Sequence, residues 1–520
     1  MKPRFWIVLC TVVGLIVLSL PYVLAWAQTP DGAHYLWNSY NPPDTDTYFA
    51  KMRLGWQGAW RFTLTFSPER GQGGAFLNLF YIALGHLACV TGLALPAVYH
   101  GARLLAALGL ALTVWRLSAL MLPNISSRRW GLAFALLGGG IGWAAAYLRP
   151  PPTDLWIPEA YGFLGALTNP HFPTAQLLLA LTFFLTLRWF SSERRGWQLL
   201  ALVGVLIVLS LVQAFAVLTV GGVWGLLLLE RWRSQRRFPW RESLLLGAVG
   251  LCGLLYPLYG VEAVQRDPAL AAWNAQNVTL SPPWWSWALG YALTLPFALY
   301  GGWRLWRMDR SGGRLLVLWA IATLLGIMLP VSFQRRMSLG LSLPLGLLAG
   351  WGWTQVQARL PRRRWVAQGA LIILLLATPL LMLLAGFRQP GLADYLYISR
   401  GERAAAEALL AQGPGHTILS SPVRGSALPW LTGQRVVVGH PMETVDHARR
   451  AAEAEAFFSG ALDADAQRAL LCREAVDYVW RGALEQHQHP LAFEQFVGVQ
   501  LWLQNADVNI FSVELVCDED

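Results

Sequence analysis

Twelve apolar runs of 17 to 25 residues lie between Phe5 and Gly386, and no soluble core needs segments of that length. The runs are 5–27, 74–93, 97–121, 130–148, 173–190, 197–213, 214–230, 242–260, 284–302, 314–331, 338–357 and 365–386. A bilayer's hydrocarbon core is about 30 Å thick and takes roughly 20 helical residues to cross, so segments of this kind belong in a membrane. Of the 520 residues, 55% are hydrophobic and only 13% charged, which fits an α-helical polytopic membrane protein and no soluble class. The first run, Phe5 to Ala27 behind the basic start MKPR, is longer than the apolar part of a signal peptide, so an uncleaved first span is expected.

The net charge of +10 is unevenly distributed: residues 1–387 carry +18 and residues 388–520 carry −8. The positive charge sits in the loops of the membrane part, where it sets orientation, so nucleic acid is not expected as a partner. Arg128/Arg129, Arg194/Arg195, the run from Arg231, the run from Arg304, and Arg359 with Arg362–Arg364 all favour the cytoplasm. They all reach it if one earlier run fails to cross. The best candidate is 74–93, which contains Asn78 and His86 and is read as a helix lying in the outer interface.

About 11 spans remain, with the N-terminus cytoplasmic in a bacterial-type cell membrane and the C-terminal region outside. The stretch 197–230 reads either as two short spans meeting near Gln213 or as one long helix. Three external loops, 28–96, 149–172 and 261–283, are long enough to carry function. Residues 1–387 form the transmembrane domain in this reading. Residues 388–520 alternate helical and strand patterns, which predicts a small extracytoplasmic α/β domain. Cys472 and Cys517 lie in it, and an external location would let them pair.

The richest polar stretch is Asn41–Trp60, NPPDTDTYFAKMRLGWQGAW, in which Asp44 and Asp46 stand at the start of a predicted interfacial helix. A DTD triplet serves many loops simply as a helix cap. Here, however, Asp44, Asp46, Lys51, Arg53 and Arg61 crowd beside a membrane that penalises charge. A carboxylate can take the proton of an attacking hydroxyl, and two can hold a divalent cation, Mg or Mn, against a phosphate leaving group. Which aspartate would be the base stays open. Loop 149–172 adds Asp154, Glu159 and His171, the last at the head of the following span. Arg335 and Arg336 face outward at headgroup level, either snorkelling or gripping a phosphate. His440 and Glu443 follow a predicted strand, where a helix cap is as natural as a site.

An uncleaved first span, an external loop with an acidic pair before Tyr48, an interfacial helix and a second acidic loop with Asp154 and Glu159 together resemble the GT-C superfamily of integral-membrane glycosyltransferases. That group includes protein mannosyltransferases, aminoarabinose transferases and oligosaccharyltransferase catalytic subunits. The resemblance implies inverting transfer of a sugar from a polyprenyl-(di)phosphate carrier to a glycan, lipid or protein acceptor on the outer face, among membrane lipids. It implies Asp44 or Asp46 as base or metal ligand, Asp154 or Glu159 as the second-loop acid, and Arg335/Arg336 as a clamp on the donor phosphate. A WWDYG-type peptide-binding signature is missing from the C-terminal region. The rival readings are a lipid-linked-saccharide flippase and a non-catalytic membrane assembly protein.

Overall fold

The computed structural model describes residues 3–191, 196–308, 311–387, 392–486 and 491–517. Arg194, Arg195 and Arg310 of the arginine loops, and the stretch 388–391 where the composition changes, lie outside the described residues. The protein is mostly helical, and its packing divides it into two units that do not follow chain order. The first comprises Met1–Leu20, His100–Tyr259 and Val278–Phe387; the second comprises Pro21–Tyr99, Gly260–Asn277 and Arg388–Asp520.

Among the described residues, five helices are long and apolar enough to cross a membrane: Cys10–Ala27, Leu95–Met121, His171–Ser191, Trp240–Arg266 and Arg364–Gly386. This is the construction of an integral membrane protein. The stretch 197–230 is two helices, Gly196–Val212 and Ala216–Gln235, interrupted at Gln213.

Two apolar runs expected to be continuous are broken. Run 130–148 divides into Ile125–Leu137 and Gly142–Ala145, and run 284–302 divides into Trp284–Gly290 and Leu295–Arg307. The first break falls at Gly138-Gly139-Gly140, where no side chain favours helix over other conformations. The two breaks satisfy each other's backbone: Ile141 N donates to Leu289 O at 3.1 Å and Thr294 Oγ1 to Gly139 O at 3.0 Å. A Cβ on Gly140 would lie 1.7 Å from Leu289 O, so only glycine fits this contact.

In the second unit, strand β1 (Ala33–Tyr35) pairs antiparallel with β2 (Tyr397–Ser399), Ala33 opposite Ser399. A five-stranded sheet follows, made of β3 (Thr417–Leu419), β4 (Arg435–Val436), β5 (Tyr478–Arg481), β6 (Val499–Gln504) and β7 (Asn509–Val513), in the order β4-β3-β5-β7-β6. The pairs β4/β3 and β3/β5 are parallel and need crossovers, which helices Pro422–Thr432, His447–Ser459 and Ala464–Arg473 supply. The β6/β7 hairpin closes the far edge antiparallel. A disulfide joins Cys472 to Cys517 with their Cα atoms 5.6 Å apart.

Against this sheet region packs the first-loop helix Pro42–Trp56, which crosses helix Leu79–Thr91. The crossing is glycine-mediated: a Cβ on Gly55 would meet Ile82 O at 2.0 Å and one on Gly85 would meet Met52 O at 1.9 Å. At 1.5 Å per residue the 13 residues of Leu79–Thr91 reach only about 20 Å, short of a bilayer core. Leu87 and Val90 on it are exposed.

Candidate functional site

The chemistry-bearing residues fall into two groups, one in each unit. In the second unit, the approach to the first-loop helix is unusual backbone. Trp37 and Tyr40 hold φ of 61° and 65°, a region that bulky side chains rarely adopt, and Asn41 follows at 54°. Such residues store of order 1 kcal/mol or more each and persist only where their surroundings fix them. Tyr35 and Tyr22 lie tilted beside them, with centroids 5.2 Å from Trp37 and 6.1 Å from Tyr40 respectively. Strained aromatic residues leading into an acidic helix start are hard to reconcile with a mere connecting loop.

The two aspartates then separate. Asp46 is fully buried: its Oδ1 accepts from Asn38 Nδ2 and Trp430 Nε1, both at 3.0 Å. Burial pushes its carboxyl well above the usual range, and the hydrogen bonds from Asn38 and Trp430 with the nearby Arg424 charge offset only part of that. Asp44 lies one half-turn earlier and its side chain is 38% exposed. Its Oδ1 faces His440 Nε2 at 2.9 Å and its Oδ2 accepts from Asn41.

His440 belongs to the turn that follows β4. Glu443 of the same turn accepts from Lys51 Nζ at 2.7 Å and Trp273 Nε1 at 3.0 Å. Gln276 Nε2 donates to Met442 O and Thr444 O at 3.1 and 2.8 Å, and Asn277 Nδ2 to Met442 O at 3.1 Å. Val445 N donates to Ser67 Oγ at 3.1 Å. One turn of the C-terminal region is thus pinned to two loops, 28–96 and 261–283. His440 and Glu443 were visible in the sequence only as polar residues after a strand; their partners lie 396 and 392 positions away, and no local pattern signals that.

In the first unit, Asp154 sits beside the paired helix breaks. Its Oδ2 accepts from the freed N–H groups of Gly140 and Gly142, at 3.0 and 3.2 Å, and from Thr378 Oγ1 at 3.0 Å. Burial raises its carboxyl to about 6 against these three donors. It borders a cavity of about 20 Å³ with Gly139, Tyr161, Thr378 and Met382, room for about one water. Glu159, nearly sealed, pairs with Arg335 Nε at 3.0 Å, and the Arg335 guanidinium lies 5.3 Å from the Trp156 ring centroid. Arg336 lies over the Phe215 ring at 5.2 Å. His171 is buried at the first position of its helix, its ring against Phe172. Asp154 and Glu159 therefore have separate partners, and Arg335 is tied to Glu159 through its Nε. Among the described residues, no three His, Cys, Asp or Glu side chains converge as a metal-ligand cluster.

No protein-family model matches the chain, and no curated protein sequence does. Solved structures do. An arabinofuranosyltransferase, AftD, from Mycobacteria is similar at a TM-score of 0.57 and 15% identity over 99% of this chain, which spans only 40% of that longer protein. An oligosaccharyltransferase from Archaeoglobus fulgidus, tethered to an acceptor peptide, is similar at 0.55 and 11% identity, over 91% of this chain and 69% of the other. ArnT from Cupriavidus metallidurans bound to undecaprenyl phosphate is similar at 0.51 and 15% identity, over 98% of both chains. All are GT-C glycosyltransferases, and the chain has their fold.

Proposed function

We propose that the protein is a membrane glycosyltransferase that moves a sugar from a polyprenyl-(di)phosphate carrier to an acceptor on the extracytoplasmic face, with Asp44 as its base. The observation that carries this is the division of the aspartate pair: Asp46 is sealed and tied down, whereas Asp44 is oriented yet reachable. Strained Trp37 and Tyr40 ahead of it, and a fold shared with an ArnT that binds undecaprenyl phosphate, support the same reading.

In the reaction, Asp44 takes the proton of an acceptor hydroxyl as its oxygen attacks the anomeric carbon. The bond from that carbon to the phosphate oxygen breaks, its electron pair leaves with the lipid phosphate, and the configuration inverts. Arg335 and Arg336 are the groups assigned to the phosphate charge. A divalent cation, Mg or Mn, would be held through Asp44 rather than through the aspartate pair, because Asp46 is enclosed; when bound it would neutralise phosphate charge.

The reading keeps about 11 spans, a cytoplasmic N-terminus and an extracytoplasmic soluble domain at 388–520. The Cys472–Cys517 disulfide supports an oxidising location for that domain. The test is transfer of labelled sugar from a panel of polyprenyl-phosphate sugars by the purified protein in lipid, with and without Mg or Mn. Transfer from one donor supports the reading. Silence across the panel with specific lipid binding retained contradicts it and favours a flippase.

A further inference from the structure

We infer that His440 is the positioning residue of the Asp44 carboxylate: the turn after β4 fixes its imidazole as the Nε2–H tautomer, which donates to Asp44 and holds its free lone pairs toward substrate. This rests on the reading of Asp44 as the base. It adds a group 396 positions away, from the C-terminal region, to the first-loop chemistry.

The tautomer follows from the partners. Met442 N lies 3.1 Å from His440 Nδ1, and a backbone N–H can only donate. Nδ1 must therefore accept and carry no proton. The single proton of the neutral ring is on Nε2, which faces Asp44 Oδ1 at 2.9 Å. A histidine is the one side chain that accepts from its own turn on one side and donates to a carboxylate on the other through a rigid ring.

The ring is bonded at both nitrogens and its turn is braced. Its side chain is 9% exposed. The turn carrying it is closed by Glu443 N and Thr444 N donating to His440 O at 3.1 and 2.9 Å. Gln276, Asn277, Lys51 and Trp273 brace the same turn from outside. Asn41 donates to the other oxygen of Asp44, so the carboxylate is gripped at both ends. A base fixed in this way meets the acceptor hydroxyl without a search through rotamers, and misplacement by about 1 Å is enough to lose roughly 100-fold in rate.

Two substitutions separate positioning from support of the turn. His440→Asn puts an amide oxygen near the Nδ1 position, keeping the acceptor for Met442 N while losing the donor to Asp44. His440→Gln reaches the Nε2 position with an N–H, keeping the donor to Asp44. With a labelled undecaprenyl-phosphate sugar as donor and the full-length protein in lipid, His440→Asn should lower kcat about 10- to 100-fold with little change in KM or thermal midpoint. His440→Gln should keep kcat within about 5-fold by the same scale. Nitrogen NMR of histidine-labelled protein, with the His440 signal assigned by its loss in His440→Gln, should show the Nε2–H tautomer and a shift in Asp44→Asn. An Nδ1–H tautomer, or full kcat in His440→Asn beside an inactive Asp44→Asn, overturns the positioning role alone. Full activity in Asp44→Asn overturns the base assignment as well, while leaving the NMR result to stand by itself.

Discussion

Each of two loops, 28–96 and 149–172, brings a pair of carboxylates, and each pair divides into one acid held by hydrogen bonds alone and one acid facing a basic side chain. Asp46 and Asp154 are the hydrogen-bonded members; both are buried, both accept several hydrogen bonds, and burial raises both. Asp44 and Glu159 are the paired members, and here the loops part. Glu159 is 4% exposed and faces an arginine, a permanent cation that uses up its charge. Asp44 is 38% exposed and faces an imidazole whose Nδ1 accepts from Met442 N, so it is oriented and keeps a reachable oxygen. Carboxylate density alone does not mark a base. In the proposed reading, what marks it is a partner that orients the group and leaves an oxygen reachable.

Stability measurements on the four acids can break this comparison. The largest loss is expected from Asp46→Ala, which leaves the Trp430 indole N–H without its acceptor and opens a cavity, at about 3 kcal/mol. Asp46→Asn keeps an acceptor for Asn38 and Trp430 and should sit near wild type; a loss equal to that of alanine would mean that the native group is ionised. Glu159→Gln strands a half-buried Arg335, at about 2 kcal/mol after allowing for its partial exposure. Chemical denaturation or thermal scans in a fixed lipid would measure both.

Asp154→Asn has the opposite sign. The folded carboxyl titrates at about 6, above its ordinary range, so the native state binds the extra proton between those values. Its contribution is present below the unfolded pKa and is lost as pH rises through 6. The wild type should therefore weaken from about pH 4 to 7 by this term, and Asp154→Asn should flatten the slope and gain about 1–2 kcal/mol at pH 8. A variant with unchanged slope would mean that Asp154 is not the titrating group. The smallest effect belongs to Asp44→Asn, below about 0.5 kcal/mol, as for a partly exposed pair.

Much of the local structure was legible in the sequence. Helix Pro42–Trp56 begins at the prolines before Asp44, helix Leu79–Thr91 falls inside run 74–93, and 197–230 is interrupted at Gln213, one of the two arrangements that the stretch allowed. The breaks at Gly138–Gly140 and near Thr294 were hidden because apolar residues on both sides keep the runs hydrophobic; the glycine triplet was the available signal. Helix Pro422–Thr432 was masked by Pro422 at its start and Pro429 inside it. Strands β6 and β7 went unread, and β4, with two paired residues, is shorter than its RVVV pattern implied. The pairing of Asp44 with His440 and of Lys51 with Glu443 has no local signature, since each joins residues that only the tertiary fold brings together.

The measurement that bears most directly on the central claim is sugar transfer by Asp44→Asn and Asp46→Asn, side by side, with the donor that the wild-type protein uses. Asp44→Asn should lose about 100- to 10,000-fold in kcat, the range for a general base, while Asp46→Asn keeps most of its rate. Loss in Asp46→Asn with activity retained in Asp44→Asn would contradict it.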